Sequence, residues 1–129
     1  MREIGFRGKS IDTGRWVYGS LILRECDMYV DTYVKEYGYY SLEKEVDQST
    51  VGQYTGLKDK NGVEIYEGDI VLCRGYNGQM KATVVFSHGC FNVGFHQGSS
   101  TKKTPILLNP KMEVIGNVHD NPELLTNNE

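Results

Sequence analysis

The sequence predicts a mainly β fold with little helix, and three observations carry that expectation. Stretches with the 3.6-residue apolar period of a helix are few, whereas short runs rich in β-branched and aromatic residues recur between Gly, Asn and Asp. Asn61-Gly62 is a strong hairpin signal, because both residues tolerate positive φ at little cost. In the second half the apolar residues alternate: Met80, Ala82, Val84 and Phe86 share one face, and Phe91, Val93 and Phe95 share one face.

Taken in chain order, the first strand is expected at Ile4-Gly5-Phe6-Arg7. Asp12-Thr13-Gly14 marks a turn into Trp16-Val17-Tyr18, and Leu21-Ile22-Leu23 continues that strand beyond Gly19. Met28 to Val34 is dense in β-branched and aromatic residues and reads as a third strand. Residues 35–47 are ambiguous between one helical turn around Leu42 to Val46 and an irregular edge. A strand around Val51 to Thr55 leads to the turn Lys58-Asp59-Lys60-Asn61-Gly62. Glu67-Gly68-Asp69 is a tight turn that launches Ile70 to Arg74. Gly75 to Gly78 closes a hairpin onto Met80 to Phe86, and Ser87-His88-Gly89 closes another onto Cys90 to His96. A loop from Gln97 to Lys111 precedes a last strand, Glu113 to Val118, and the tail from His119 is expected to fray. Short strands, tight turns and one longer loop make a small SH3-like barrel the economical arrangement over 66–118, since closure removes exposed edges. The N-terminal β region, 1–65, packs against it, and 119–129 forms a tail.

The 129 residues suit one domain or two small interlocked lobes. With 39% hydrophobic and 24% charged residues the balance is globular rather than disordered. No apolar run approaches the roughly 20 residues of a membrane span, and the start Met1-Arg2-Glu3-Ile4 carries no apolar signal core. Cys26, Cys73 and Cys90 are too few and too scattered for a disulfide scaffold or a zinc ribbon. A soluble, cytoplasmic protein is the expectation.

A net charge of −3 argues against gripping nucleic acid by overall charge, but its distribution is more informative. Residues 70–112 hold Arg74, Lys81, Lys102, Lys103 and Lys111 and no acid, a balance of +5. Residues 25–47 hold Glu25, Asp27, Asp31, Glu36, Glu43, Glu45 and Asp47 against Lys35 and Lys44, a balance of −5. Such opposed segments complement each other within a chain or between subunits, or leave a basic surface for an anionic partner. In the second case Arg74, Lys81, Lys102 and Lys103 would contact nucleic acid, with Tyr76 and Phe91 as stacking surface. Tyr29, Tyr33, Tyr37, Tyr39 and Tyr40 crowd into the acidic segment. Tyrosine suits interfaces, because a large apolar ring is buried while its hydroxyl keeps a partner. These five are the candidate self-association residues, against the alternative of a strand packed on its own barrel.

Other constellations have plainer readings. Asp59-Lys60-Asn61-Gly62 matches the start of a calcium loop but lacks the late bidentate Glu, so it reads as a turn. His88 and Cys90 share strand parity and lie about 7 Å apart on an extended strand, a feasible metal-ligand pair if Cys73 or His119 supplied a third ligand. The same two residues are the only local nucleophile and base. His96 falls too far along the strand to join them. A solvated His beside an adventitious thiol is the simpler reading. No catalytic set, cofactor site or metal site is therefore assigned, and no enzyme activity is expected.

Three blocks together resemble the YopX-like family of phage and prophage proteins. They are Arg2-Glu3-Ile4-Gly5-Phe6-Arg7-Gly8-Lys9 with Trp16-Val17-Tyr18-Gly19, the long run from Thr50 to Val71, and Val114 to Leu125. The central block includes the turn residues Asn61, Gly62, Gly68 and Asp69. Residues 22–48 and 75–105 match more loosely. The resemblance implies a mainly β protein with an SH3-like barrel, encoded by a phage or prophage and self-associating; the compartment expected is the cytoplasm of the bacterial host cell. It implies no reaction. The expected partners are further copies of the chain and a phage or host protein, with nucleic acid as the alternative and no membrane.

Overall fold

A computed structural model describes residues 4–34, 40–75, 78–97, 100–105 and 111–126. Among the described residues strand dominates and helix is limited to short turns, so the mainly β class holds. Two compact units divide the chain, Met1–Tyr54 and Thr55–Glu129.

In the first unit β1 (Phe6–Lys9), β2 (Trp16–Arg24), β3 (Asp27–Val34) and β4 (Tyr40–Val46) form an antiparallel meander in the order β4-β3-β2-β1. The next strand, β5 (Gly52–Lys58), begins on the free side of β1, with Gln53 opposite Phe6 and Gly52 opposite Arg7. The meander curls until its ends meet. Ser10 bridges Val46, the Ile11 N–H donates to the Glu45 carbonyl at 3.0 Å, and the Asp47 N–H donates to the Lys9 carbonyl at 2.9 Å. Right-handed strand twist supplies the curl, and Gly8 permits it. A Cβ at Gly8 would stand 2.9 Å from Val46 Cβ, so the bare backbone lets the fully packed Val46 lie against β1. Among the described residues, Val30 and Val46 are buried aliphatic side chains of this curl. Beyond β4 a single 3-10 turn, Gln48–Thr50, is capped by Asp47, whose Oδ1 accepts the Ser49 N–H at 3.1 Å. Thr50 ties that turn to β1 by accepting the Lys9 N–H on Oγ1 at 2.9 Å.

The second unit takes up the end of β5 with β6 (Glu64–Tyr66), and then an open five-stranded antiparallel sheet. Its strands are β7 (Asp69–Gly75), β8 (Gly78–Ser87), β9 (Cys90–Gln97), β10 (Ser100–Pro105) and β11 (Glu113–Asn117), ordered β10-β9-β8-β7-β11. One face carries the core. Val71 pairs with Ala82, Cys73 with Met80 and Val84 with Val93, and Ile65 and Met112 complete the buried cluster. The alternation read from sequence is the cause, except that Phe86 runs past the core and is 55% exposed, edge-on to Phe91.

Several expectations are corrected. Among the described residues β10 and β11 do not pair, so the expected SH3-like barrel is an open sheet. Closure is one way to manage edges; here β10 carries Lys102, Lys103 and Pro105, and β11 shifts register between Val114 and Gly116, devices that blunt an edge instead. The expected loop 97–111 contains β10, whose lysines and proline mask the strand propensity of Thr101 and Thr104. Residues 40–46 form a regular strand, because pairing with β3 from Met28↔Val46 to Val34↔Tyr40 overrides the local ambiguity. The described part of the tail, 119–126, holds a short helix, α1 (Glu123–Thr126). Asn117 Oδ1 accepts the N–H groups of His119 at 3.0 Å and Asp120 at 2.8 Å, which turns the chain back toward Gly116.

Candidate functional site

The acidic segment becomes the β3–β4 hairpin. Its register places Tyr29 opposite Glu45, Asp31 opposite Glu43 and Tyr33 opposite Ser41, so Tyr29 and Tyr33 fall on one acidic face. Tyr40, opposite Val34, belongs by register to the other face, which holds the buried Val30 and Val46. Tyr37 and Tyr39 lie outside the described residues. Arg24 organises the acidic face: its guanidinium bonds Glu43 Oε1 at 2.7 Å and lies 5.6 Å from the Tyr29 ring centroid. With the Arg24 side chain 57% exposed, that ion pair contributes at most about 1 kcal/mol.

Where β4 meets the end of β1, the curl leaves a cleft of about 600 Å³ lined by Lys9, Ser10, Ile11, Gly14, Asp27, Glu45, Val46, Asp47 and Gln48. Three carboxylates, those of Asp27, Glu45 and Asp47, outnumber the one ammonium, Lys9. The Lys9 ammonium sits 5.6 Å from the Trp16 ring centroid, and the Arg7 guanidinium lies 4.5 Å from the same centroid. Sequence reasoning missed this cleft, because the Ser10–Val46 bridge that makes it joins distant residues with no local signal.

The basic segment becomes β7 to β10. Lys81 and Lys103 are both exposed. Lys81 stands opposite Leu72 and Arg74 opposite Gln79; Lys103 stands opposite Gly94, which pairs in turn with Thr83. These pairings put the register positions of Arg74, Lys81 and Lys103 on one face of the sheet. Lys102, opposite Phe95, takes the other face. Three of the four candidate cations thus share a face and the fourth does not. Strand geometry separates Lys81 from Lys103 by roughly 12 Å. Tyr76 lies outside the described residues.

The turns of the central block are built on carboxylates. Asp59 Oδ1 accepts the N–H groups of Asn61 at 2.8 Å and Val63 at 2.9 Å, and its Oδ2 accepts the Val114 N–H at 2.9 Å. Burial alone would raise the Asp59 pKa, but the bonds from Val114, Val63 and Asn61 and the nearby Lys60 charge hold it below the ordinary carboxylate value. Gly62 takes φ 83° and Gly68 φ 88°, where an L side chain is strained. Asp69, 2% exposed, accepts the Tyr66 N–H on Oδ2 at 2.8 Å and so fixes the turn through Gly68. Asp59 escaped sequence reading as more than a turn residue, because its third partner is far along the chain.

The cysteines are dispersed. Cys73 is in the core and burial pushes its thiol up to about 11, whereas Cys26 and Cys90 are exposed. His88 sits in the hairpin turn at φ 53°, not on the strand, so shared parity with Cys90 does not apply. Its Nδ1 lies 2.8 Å from Ser87 Oγ. Among the described residues no three His, Cys, Asp or Glu side chains gather to hold a metal. A thiol reagent at neutral pH should therefore label Cys26 and Cys90 promptly and reach Cys73 only when the second unit opens. Labelling of all three at one rate would contradict that placement of Cys73.

The family model described as YopX protein matches residues 5–126. The crystal structure of protein EF1440 from Enterococcus faecalis superposes with a TM-score of 0.60 at 24% identity, covering 97% of this chain and 99% of that one. At that identity the likeness is one of fold. No curated protein matches the chain. No helix among the described residues is long and apolar enough to cross a membrane.

Proposed function

The chain belongs to the YopX family, and from that premise we propose that it is a phage- or prophage-encoded accessory protein that acts by self-assembly and binding rather than by catalysis. The observation that carries this reading is the segregation of charge. The −5 segment 25–47 supplies the β3–β4 hairpin of one compact unit, and the +5 segment 70–112 supplies β7 to β10 of the other. Segments of opposite charge on one chain favour contact between copies, with encounter steered by charge and weakened by salt. Tyr29 beside Arg24, on the same acidic face, offers the aromatic surface an interface uses. A phage or host protein in the bacterial cytoplasm is the further partner class.

Light scattering at about 50 mM and about 500 mM salt tests the reading. Mass above that of one chain at low salt, falling at high salt, is expected; a strict monomer at low salt contradicts it.

A second reading, a nucleic-acid-binding sheet, draws support from the shared face of Lys81 and Lys103. It requires salt-sensitive retention of single strands that Lys103→Glu weakens. Absence of binding at about 50 mM salt disposes of it.

A further inference from the structure

We propose that the acidic cleft at the β1–β4 junction receives the β10 edge of a second copy of this chain, with Lys103 entering the cleft. This deepens the self-assembly reading and rests on it.

Three features of the cleft bear on its occupant. Its volume of about 600 Å³ is ample for a lysine side chain. Asp27, Glu45 and Asp47 leave it two negative charges in excess over Lys9. Ile11 and Val46 add apolar lining, and Ile11 is 57% exposed, a large apolar side chain left facing water. Acidic groups beside apolar surface suit a ligand with an aliphatic stem and a cationic head, which describes lysine.

The same chain supplies that group on an accessible edge. Among the described residues β10 pairs only with β9 and is the terminal strand of its sheet. Lys102 and Lys103 occupy alternate faces of β10, and no acidic residue occurs anywhere in 70–112 to repel an acidic partner. The exposed Lys103 has one intramolecular contact among those described, a 3.5 Å approach of Nζ to Ser87 Oγ, long for a hydrogen bond and readily exchanged. Cleft and lysine are different patches, one on each compact unit of the chain, so the contact is heterologous: each copy offers both halves, and assembly proceeds head to tail.

Mixing of complementary variants tests this. Lys103→Glu keeps the cleft but reverses the lysine; Glu45→Lys keeps the lysine but reverses part of the cleft. Sedimentation velocity at about 50 mM salt is expected to show each variant alone associating about tenfold more weakly than wild type, and an equimolar mixture recovering. Circular dichroism of each variant confirms that both fold. Glu45→Gln, which removes charge without reversing it, should fall between wild type and Glu45→Lys. Association that neither reversal alters, or that mixing does not restore, overturns the cleft contact while leaving self-assembly standing. A wild-type monomer under the same conditions overturns both.

Discussion

Asp59→Ala is expected to destabilise the 55–129 unit by about 3–5 kcal/mol, the largest effect of any single substitution considered. Asp59 is 7% exposed and its carboxylate serves three backbone donors, two in its own turn and Val114 on β11. Hydrogen bonds to a charged acceptor contribute about 1.5–3 kcal/mol each, and removing the acceptor leaves three part-buried backbone N–H groups without it. The three bonds share one carboxylate, so their effects do not add fully. Asp59→Asn keeps one acceptor oxygen but presents an amide N–H to a donor, and should cost about 2 kcal/mol. The rate at which Cys73 becomes reactive in increasing urea reports on this unit directly. Equal Cys73 protection in wild type and Asp59→Ala would refute the role given to the carboxylate.

The pH dependence has a definite sign. The Asp59 pKa lies below its ordinary value in the folded chain, so the folded state favours the ion. The stability this confers is fully present above the unfolded pKa, near 3.8, and is lost as pH falls through the lower folded value. The gap between wild type and Asp59→Asn should therefore be constant near neutrality and narrow below about pH 4. A gap unchanged down to pH 2 would contradict the assignment.

Gly8→Ala is the second large effect, in the other unit. Replacing Gly by Ala in a strand ordinarily stabilises by about 0.4–1 kcal/mol through the unfolded chain. Here the new methyl would meet Val46 Cβ at 2.9 Å and its two γ-carbons at 3.0 and 3.2 Å, and Val46 is itself 2% exposed. A net loss of about 2 kcal/mol is expected, read from Trp16 fluorescence during denaturation. Val46→Ala should relieve it, making the double variant cheaper than the sum of the singles by about 1 kcal/mol. Simple additivity would show that the clash is not the cause.

What the sequence discloses and what it hides divide along physical lines. Alternation in 80–86 and 91–95 is a local property of one strand, and it located the face of the sheet that carries Ala82, Val84 and Val93. The turns at Gly62 and Gly68 are equally local, since each needs a backbone conformation that glycine supplies. Strands β4 and β10 were obscured because lysines and glutamates that blunt an edge also mask strand propensity. The open sheet in place of a barrel, the Asp59–Val114 bond and the cleft at Ser10–Val46 all depend on pairings between distant residues. The charge blocks were plain in the sequence, but only the register showed that Lys102 and Lys103 face opposite ways.

On the reading proposed above, opposite charges on one chain drive copies together. Sedimentation equilibrium of the wild-type chain, repeated from about 50 mM to about 500 mM salt, measures it most directly. The account predicts an association constant that falls steadily as salt rises. An association constant independent of salt, or a single-chain mass throughout, would contradict it.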